Sequence, residues 1–132
     1  MTPRPTLDEA RAVLAAQTFS ILLGARLIQF GDGRAELELD LDRDLRQQFG
    51  FAHGGVLAYL ADNAITFAAG SVLGPNVLTS GISIEYMRPA RTGPLRAIAL
   101  VETSTERTAV CRVEINSHDG ICAVAQGRVT AR

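Results

Sequence analysis

The chain has little with which to hold a metal or close a disulfide: two histidines and two cysteines in 132 residues. His53 and His118 stand at no ligand-like spacing from each other or from Cys111 and Cys122, so a metal site has little support. If His118–Gly120 turns a hairpin, Cys122 falls opposite Ile115 rather than Cys111, and both cysteines read as buried free thiols. Net charge is equally scarce, 13 basic against 14 acidic residues. That balance suggests neither a nucleic-acid face nor a polybasic membrane patch. No apolar run approaches membrane-spanning length. Positions 1–20 lack the charged start, apolar middle and small-residue cleavage site of a secretory signal, so the expected location is cytoplasmic. There is also no linker, internal repeat or low-complexity tract, and the length suits one domain over 1–132.

What is present alternates in character along the chain. Thr6, Leu7, Asp8 and Glu9 form a capping-box pattern that predicts a short helix to about Ala16, within an N-terminal segment of 1–19. Leu22–Phe30 and Arg34–Leu41 read as strands around the turn Gly31-Asp32-Gly33. In the second of these, Ala35, Leu37, Leu39 and Leu41 alternate with Glu36, Glu38 and Asp40, one face dry and one wet. After a long apolar segment come four more strands, Leu78–Met87, Leu95–Thr103, Ala109–Ser117 and Ile121–Thr130, whose short connections predict an antiparallel meander. A long apolar helix is best buried by that sheet curving around it, an α+β arrangement.

The helix is expected over Gly54–Leu73. It is apolar around most of its circumference, yet Tyr59, Asp62, Asn63 and Thr66 recur at the spacing that puts them on one face. Such a stripe must meet water, a ligand or another subunit. At the start, Gly54 and Gly55 cost helix propensity but leave backbone amides uncovered at a positively polarised helix end that favours oxyanions. A carboxylate at Asp62 and an amide at Gly54 are thus candidate reacting groups. They lie roughly 12 Å apart along the axis, too far for both to reach one carbonyl from a single chain. Two antiparallel helices across a two-fold axis would solve this, each subunit giving its helix start to the other's Asp62.

The segment HGGVLAYLADNA, with Gln47 and Gly50 before it and LTSGISIEYMRPA after it, resembles the PaaI-like hotdog-fold acyl-CoA thioesterases over roughly residues 20–130. The resemblance implies a single hotdog domain, an antiparallel sheet wrapped around a long central helix, in a homodimer or homotetramer with shared sites. It implies that Asp62 is the catalytic carboxylate, as nucleophile or general base, and that the Gly54 amide polarises the thioester carbonyl. Thr79 would help place the water or the carboxylate. Gln47 stands where the family often has asparagine, one methylene longer. His53 either shapes the helix entry or takes part in catalysis. Gly55, Tyr59 and Asn63 would line the substrate. The coenzyme A phosphates need cations and donors, for which Arg88, Arg91, Arg107 and Arg128 are candidates, and the resemblance favours Tyr86 and Arg88 and the turn Ser104, Arg107, Thr108. No cofactor is implied beyond coenzyme A as part of the substrate. Two other readings stay open: a hotdog enoyl-CoA hydratase or dehydratase using His53 and Asp62, and a non-catalytic acyl-CoA-binding protein.

Overall fold

A computed structural model describes residues 4–132; the first three positions of the expected domain lie outside the described residues. Helix α1 (Leu7–Ala15) starts at Thr6, whose side chain accepts from the Glu9 amide while the Glu9 carboxylate accepts from the Thr6 amide, completing the capping box. A second helix follows, α2 (Thr18–Leu23). This corrects the strand expected from Leu22. The chain stays helical until Gly24, whose left-handed backbone (φ 75°) ends the helix, and strand pairing begins only at Arg26.

The strands are β1 (Arg26–Gly31), β2 (Arg34–Leu39), β3 (Val77–Tyr86), β4 (Leu95–Ser104), β5 (Thr108–Ser117) and β6 (Gly120–Ala131). They form one antiparallel sheet in the order β1-β2-β4-β5-β6-β3. The expected meander is therefore corrected in one place: β3 does not pair with β4 but crosses to the far edge beside β6. The β3–β4 link passes beneath the tip of the β5–β6 hairpin, where Met87 N–H donates to Cys122 O (2.8 Å) and His118 N–H donates to Thr92 O (3.2 Å). Pro89 and Pro94 in this link lack the amides a hairpin ladder would use.

The hairpin of β5 and β6 turns through His118 and Asp119, but a bulge sets Ala123 opposite Ile115. Cys122 sits at the irregularity and its thiol donates to Ile115 O, 3.4 Å away. Both cysteines are buried and free, and burial pushes the Cys111 thiol up to about 11. The alternation of β2 also needs amendment. Glu36 is buried on the face expected to be wet, because Arg34 folds over it and donates at 2.6 Å.

Helix α3 (Gly54–Leu73) lies across the concave side of the sheet. Its 20 residues are long and apolar enough to cross a membrane by length and composition, contrary to the sequence expectation, yet most of that run is buried inside the sheet. Leu60, Ala61, Ala64, Ile65, Ala68 and Ala69 are fully covered, facing Leu37, Leu39, Ala97, Ala99, Val113 and Ile115. Small residues on both sides let helix and sheet approach closely. At Gly127 of β6, an added Cβ would stand only 3.1 Å from Ile65 Cδ1. Truncating Ile65 to alanine in such packing costs about 2–5 kcal/mol.

Candidate active site

The candidate residues come from the start and the middle of α3 and from the strand that runs beside it. At the start, His53 is extended (φ −63°, ψ 137°) and caps the helix: its Nδ1 accepts from Gly55 N–H at 2.8 Å. The ring lies so close that a Cβ at Gly55 would come within 3.1 Å of Nδ1, which explains the second glycine. Gly54 has a different reason. The nearest atoms to a Cβ there belong to Tyr86, at ordinary contact distance (3.5 Å), so bulk is not what forbids a side chain. Tyr86 O–H donates to Gly54 O (3.1 Å), whereas the Gly54 N–H meets no acceptor among the described residues. A free amide at the positive end of a long helix is suited to a developing oxyanion.

Around this end gather other expected residues. Gln47 uses its side-chain oxygen within its own loop, accepting from Phe49 N–H (2.6 Å) and Phe51 N–H (3.3 Å). It shares a shallow surface cleft with Gly54, Tyr86 and Arg88. Arg88 donates to Asp119 O at 2.9 Å.

Two turns further along α3, Asp62 is exposed and held from strand β3: Thr79 Oγ1 donates to Asp62 Oδ1 at 2.6 Å. Thr66, one helical turn beyond Asp62, lies 2.7 Å from Thr79 Oγ1 and 2.7 Å from Asp62 O. With the Thr79 proton given to the carboxylate, the single Thr66 proton has two acceptors at 2.7 Å, Asp62 O and Thr79 Oγ1. Thr66 is a site residue that sequence reasoning left without a chemical role. Its position at i+4 from Asp62 on the polar stripe was the available signal.

The strand geometry behind this is specific. Residues an odd number apart on a regular strand face opposite sides. Thr79 and Tyr86 are seven apart, yet both sit opposite inward positions, Val129 and Ala123, because β3 bulges between Thr79 and Gly81. The extra residue, Ser80, turns outward and bonds Arg128 instead, its hydroxyl accepting from Arg128 Nε at 3.0 Å.

The other half of the polar stripe, half-buried, bonds helix α2 of the same chain. Tyr59 O–H donates to the buried Ser20 Oγ of α2 (2.6 Å), and Asn63 Nδ2 donates to Gln17 Oε1 (3.1 Å) and Tyr59 Oη (3.0 Å). Burial raises the Tyr59 phenol above its ordinary value, with these hydrogen bonds opposing the shift. Toward the Asp62 end of β3, Ser104 and Thr108 lie in the β4–β5 turn region, and Arg107 donates to Ala131 O at 2.8 Å. The candidate residues therefore fall into two groups at opposite ends of β3. Gly54, Gly55, His53, Gln47, Tyr86 and Arg88 make one. Asp62, Thr66, Thr79, Arg107, Thr108 and Arg128 belong to the other. Among the described residues no cluster of three or more His, Cys, Asp or Glu could hold a metal ion.

Comparison with known proteins gives this geometry a family. Residues 49–124 match the model of the thioesterase superfamily. A conserved protein from Pseudomonas aeruginosa has a similar structure, with 30% identity, 88% of this chain and 94% of that chain covered, and a TM-score of 0.83. A variant of the phenylacetic acid degradation protein PaaI from Thermus thermophilus is 30% identical, covering 86% of this chain and 98% of its own, with a TM-score of 0.80. A curated relative, 1,4-dihydroxy-2-naphthoyl-CoA hydrolase from Listeria monocytogenes, is 25% identical over 70% of this chain and 77% of its own length. With a family model spanning more than half of its length and a hotdog architecture shared with PaaI proteins, this chain belongs to the thioesterase superfamily.

Proposed function

We propose that this protein hydrolyses an acyl-CoA thioester to a free carboxylic acid and coenzyme A, using Asp62 of one subunit and the Gly54 amide of another. The observation that carries the reading is the exposed Asp62 carboxylate held by Thr79 at 2.6 Å, together with a Gly54 N–H that has no acceptor among the described residues. A hydrolase of this kind needs an oxygen nucleophile and an oxyanion donor, and these two groups are of the right chemistry. Asp62 either attacks the carbonyl carbon, forming a mixed anhydride that water then opens, or takes a proton from the attacking water. In both routes the C–S bond breaks and the thiolate leaves to be protonated as free coenzyme A.

The separation of the half-sites supports a dimer. Asp62 and Gly54 lie roughly 12 Å apart along α3. Strand β3 is an edge of the sheet, paired among the described residues only with β6, and it exposes Leu78, Ile82 and Tyr86. Antiparallel pairing of two β3 edges would set the Thr79 end of one strand against the Tyr86 end of the other, and so Asp62 against the partner's helix start. A homodimer is the smallest unit that makes such a site, and a homotetramer would be a pair of these. Arg88 from one half-site and Arg107 and Arg128 from the other would then flank a shared groove, where Tyr86, Ser104 and Thr108 could add hydrogen bonds to the coenzyme's phosphates and adenine.

The hydratase reading has less support. It would use His53 to move protons, whereas Nδ1 of that ring is engaged as the helix cap. The experiment is to follow free thiol release from acyl-CoA compounds by the wild type and Asp62→Asn. Loss of at least about a hundredfold in kcat, with the fold unchanged by circular dichroism, is expected for removal of the reacting group. Turnover near the wild-type rate would overturn the assignment.

A further inference from the structure

Helix α3 contains a glycine that neither its helix nor its packing asks for. Gly70 lies inside α3, where glycine is the least favourable residue after proline. Close approach of a neighbouring backbone often requires such a glycine. Here an added Cβ would find nothing nearer than Val77 Cγ2 at 3.9 Å, an ordinary contact. What the missing side chain leaves open is a cavity of about 130 Å3 between α1 and α3.

The cavity is walled by Ala10 and Val13 of α1, Phe30 of β1, Phe67 and Gly70 of α3, and Val77 at the start of β3. Phe30 and Phe67 meet edge to face, ring centroids 6.2 Å apart, and form a stiff aromatic wall. No charged side chain lines it among the described residues. Its polar members, Gln17, Asn63 and Thr66, include two that also border the cleft holding Asp62 and Thr79. The cavity therefore borders the cleft that holds the candidate reacting group. Asp62, Thr66 and Gly70 follow one another at i, i+4 and i+8 along one helix face, so the cavity lies up to roughly 12 Å beyond the carboxylate, away from the helix start.

We propose that this cavity receives the acyl group of the substrate and that Gly70 and Val13 set its size limit, an inference that rests on the thioester-hydrolase reading. Its occupant is a compact, uncharged acyl group, a single ring or a short branched chain. An apolar cavity of about 150 Å3 is enough to hold benzene, so this one has room for about one ring and not for a long fatty chain. A charged acyl terminus would lose its hydration there with no opposite charge to meet it.

The test compares kcat/KM for acetyl-, phenylacetyl- and palmitoyl-CoA in the wild type, Gly70→Ala, Gly70→Leu and Val13→Ala. In the wild type phenylacetyl-CoA should be preferred to palmitoyl-CoA. The phenylacetyl-to-acetyl ratio should fall slightly in Gly70→Ala and at least about tenfold in Gly70→Leu, since one or a few methylenes discriminate by about that much in an apolar pocket. Val13 is half exposed, so Val13→Ala should fold and should widen the range toward larger acyl groups. If thioesters are hydrolysed but these ratios stay within about twofold in every folded variant, the cavity assignment falls while the hydrolase reading stands. If the wild type hydrolyses none of them, calorimetry with the non-hydrolysable S-benzyl- and S-methyl-coenzyme A decides. Preference for the benzyl thioether that Gly70→Ala and Gly70→Leu progressively abolish upholds the cavity and overturns hydrolysis. Absence of size-dependent binding overturns both.

Discussion

Asp62 is oriented by one hydroxyl, and that hydroxyl by another. Thr79 donates to Asp62 Oδ1 at 2.6 Å, and Thr66 stands 2.7 Å behind Thr79. Each hydroxyl has a single proton: Thr79 gives its own to the carboxylate, and Thr66 divides its own between Asp62 O and Thr79 Oγ1, both 2.7 Å away. A hydrogen bond to a charged group contributes about 1.5–3 kcal/mol, equivalent to about ten- to a hundredfold in rate if it is used in the transition state. Thr79→Val is therefore expected to lower kcat by about that much with little change in KM, and Thr79→Ser to restore most of it. Thr66→Val, whose hydroxyl reaches the Asp62 carboxylate only at 3.4 Å, should cost less, about tenfold or under. Steady-state thiol release under saturating substrate checks the order; a larger loss in Thr66→Val than in Thr79→Val would contradict it. The sequence made Asp62 legible because a lone acid on an apolar helix demands a partner. It did not reveal Thr66, because an i+4 threonine on a helix has the same spacing whether it bonds its own backbone or a neighbouring strand.

At the level of elements, the capped α1, the long α3 and most strands could be read from periodicity. Helix α2 could not, because Thr18–Leu23 runs into the apolar strand Arg26–Gly31 with only Gly24 and Ala25 between them. Six residues of mostly apolar side chains carry no usable period. The edge position of β3 was also hidden, since turn residues mark where a strand ends and not which strand it joins. The bulge at Ser80 is of the same kind: nothing in Thr79-Ser80-Gly81 announces that parity will change there. Charge pairing across strands is testable at this scale. Glu38 of β2 accepts from Arg26 of β1 at 2.8 Å and from Arg96 of β4 at 2.6 Å, and these hydrogen bonds hold its carboxyl below the ordinary carboxylate range. A depressed native value means the contribution is fully present above the carboxylate's usual titration and is lost as pH falls through the native one. Both arginines are well exposed, which limits the contribution to about 1 kcal/mol. Urea unfolding at pH 7 and pH 3 should show wild type losing more stability on acidification than Glu38→Gln, by about that amount. Equal losses would show that the ladder is inert.

For the whole molecule, the decisive feature is that one chain places its two groups of candidate residues at opposite ends of an edge strand. The separation was legible from helix rise alone, whereas the proposed joining of the halves required knowing that β3 lies at the edge of the sheet. The central claim is that each working site takes its oxyanion donor from one subunit and Asp62 from the other. Gly54→Pro is a suitable partner variant: it removes the N–H, sits at the first helical position that proline favours, and follows a residue already extended at ψ 137°. The most direct measurement is thiol release by a purified heterodimer of Asp62→Ala with Gly54→Pro, each homodimer being folded and inactive. The account expects the heterodimer to regain about half of the wild-type kcat per dimer, since one of its two sites then draws both groups from unaltered chains. A verified heterodimer with no more activity than either parent, or full activity in a monomer that persists under assay conditions, would contradict it.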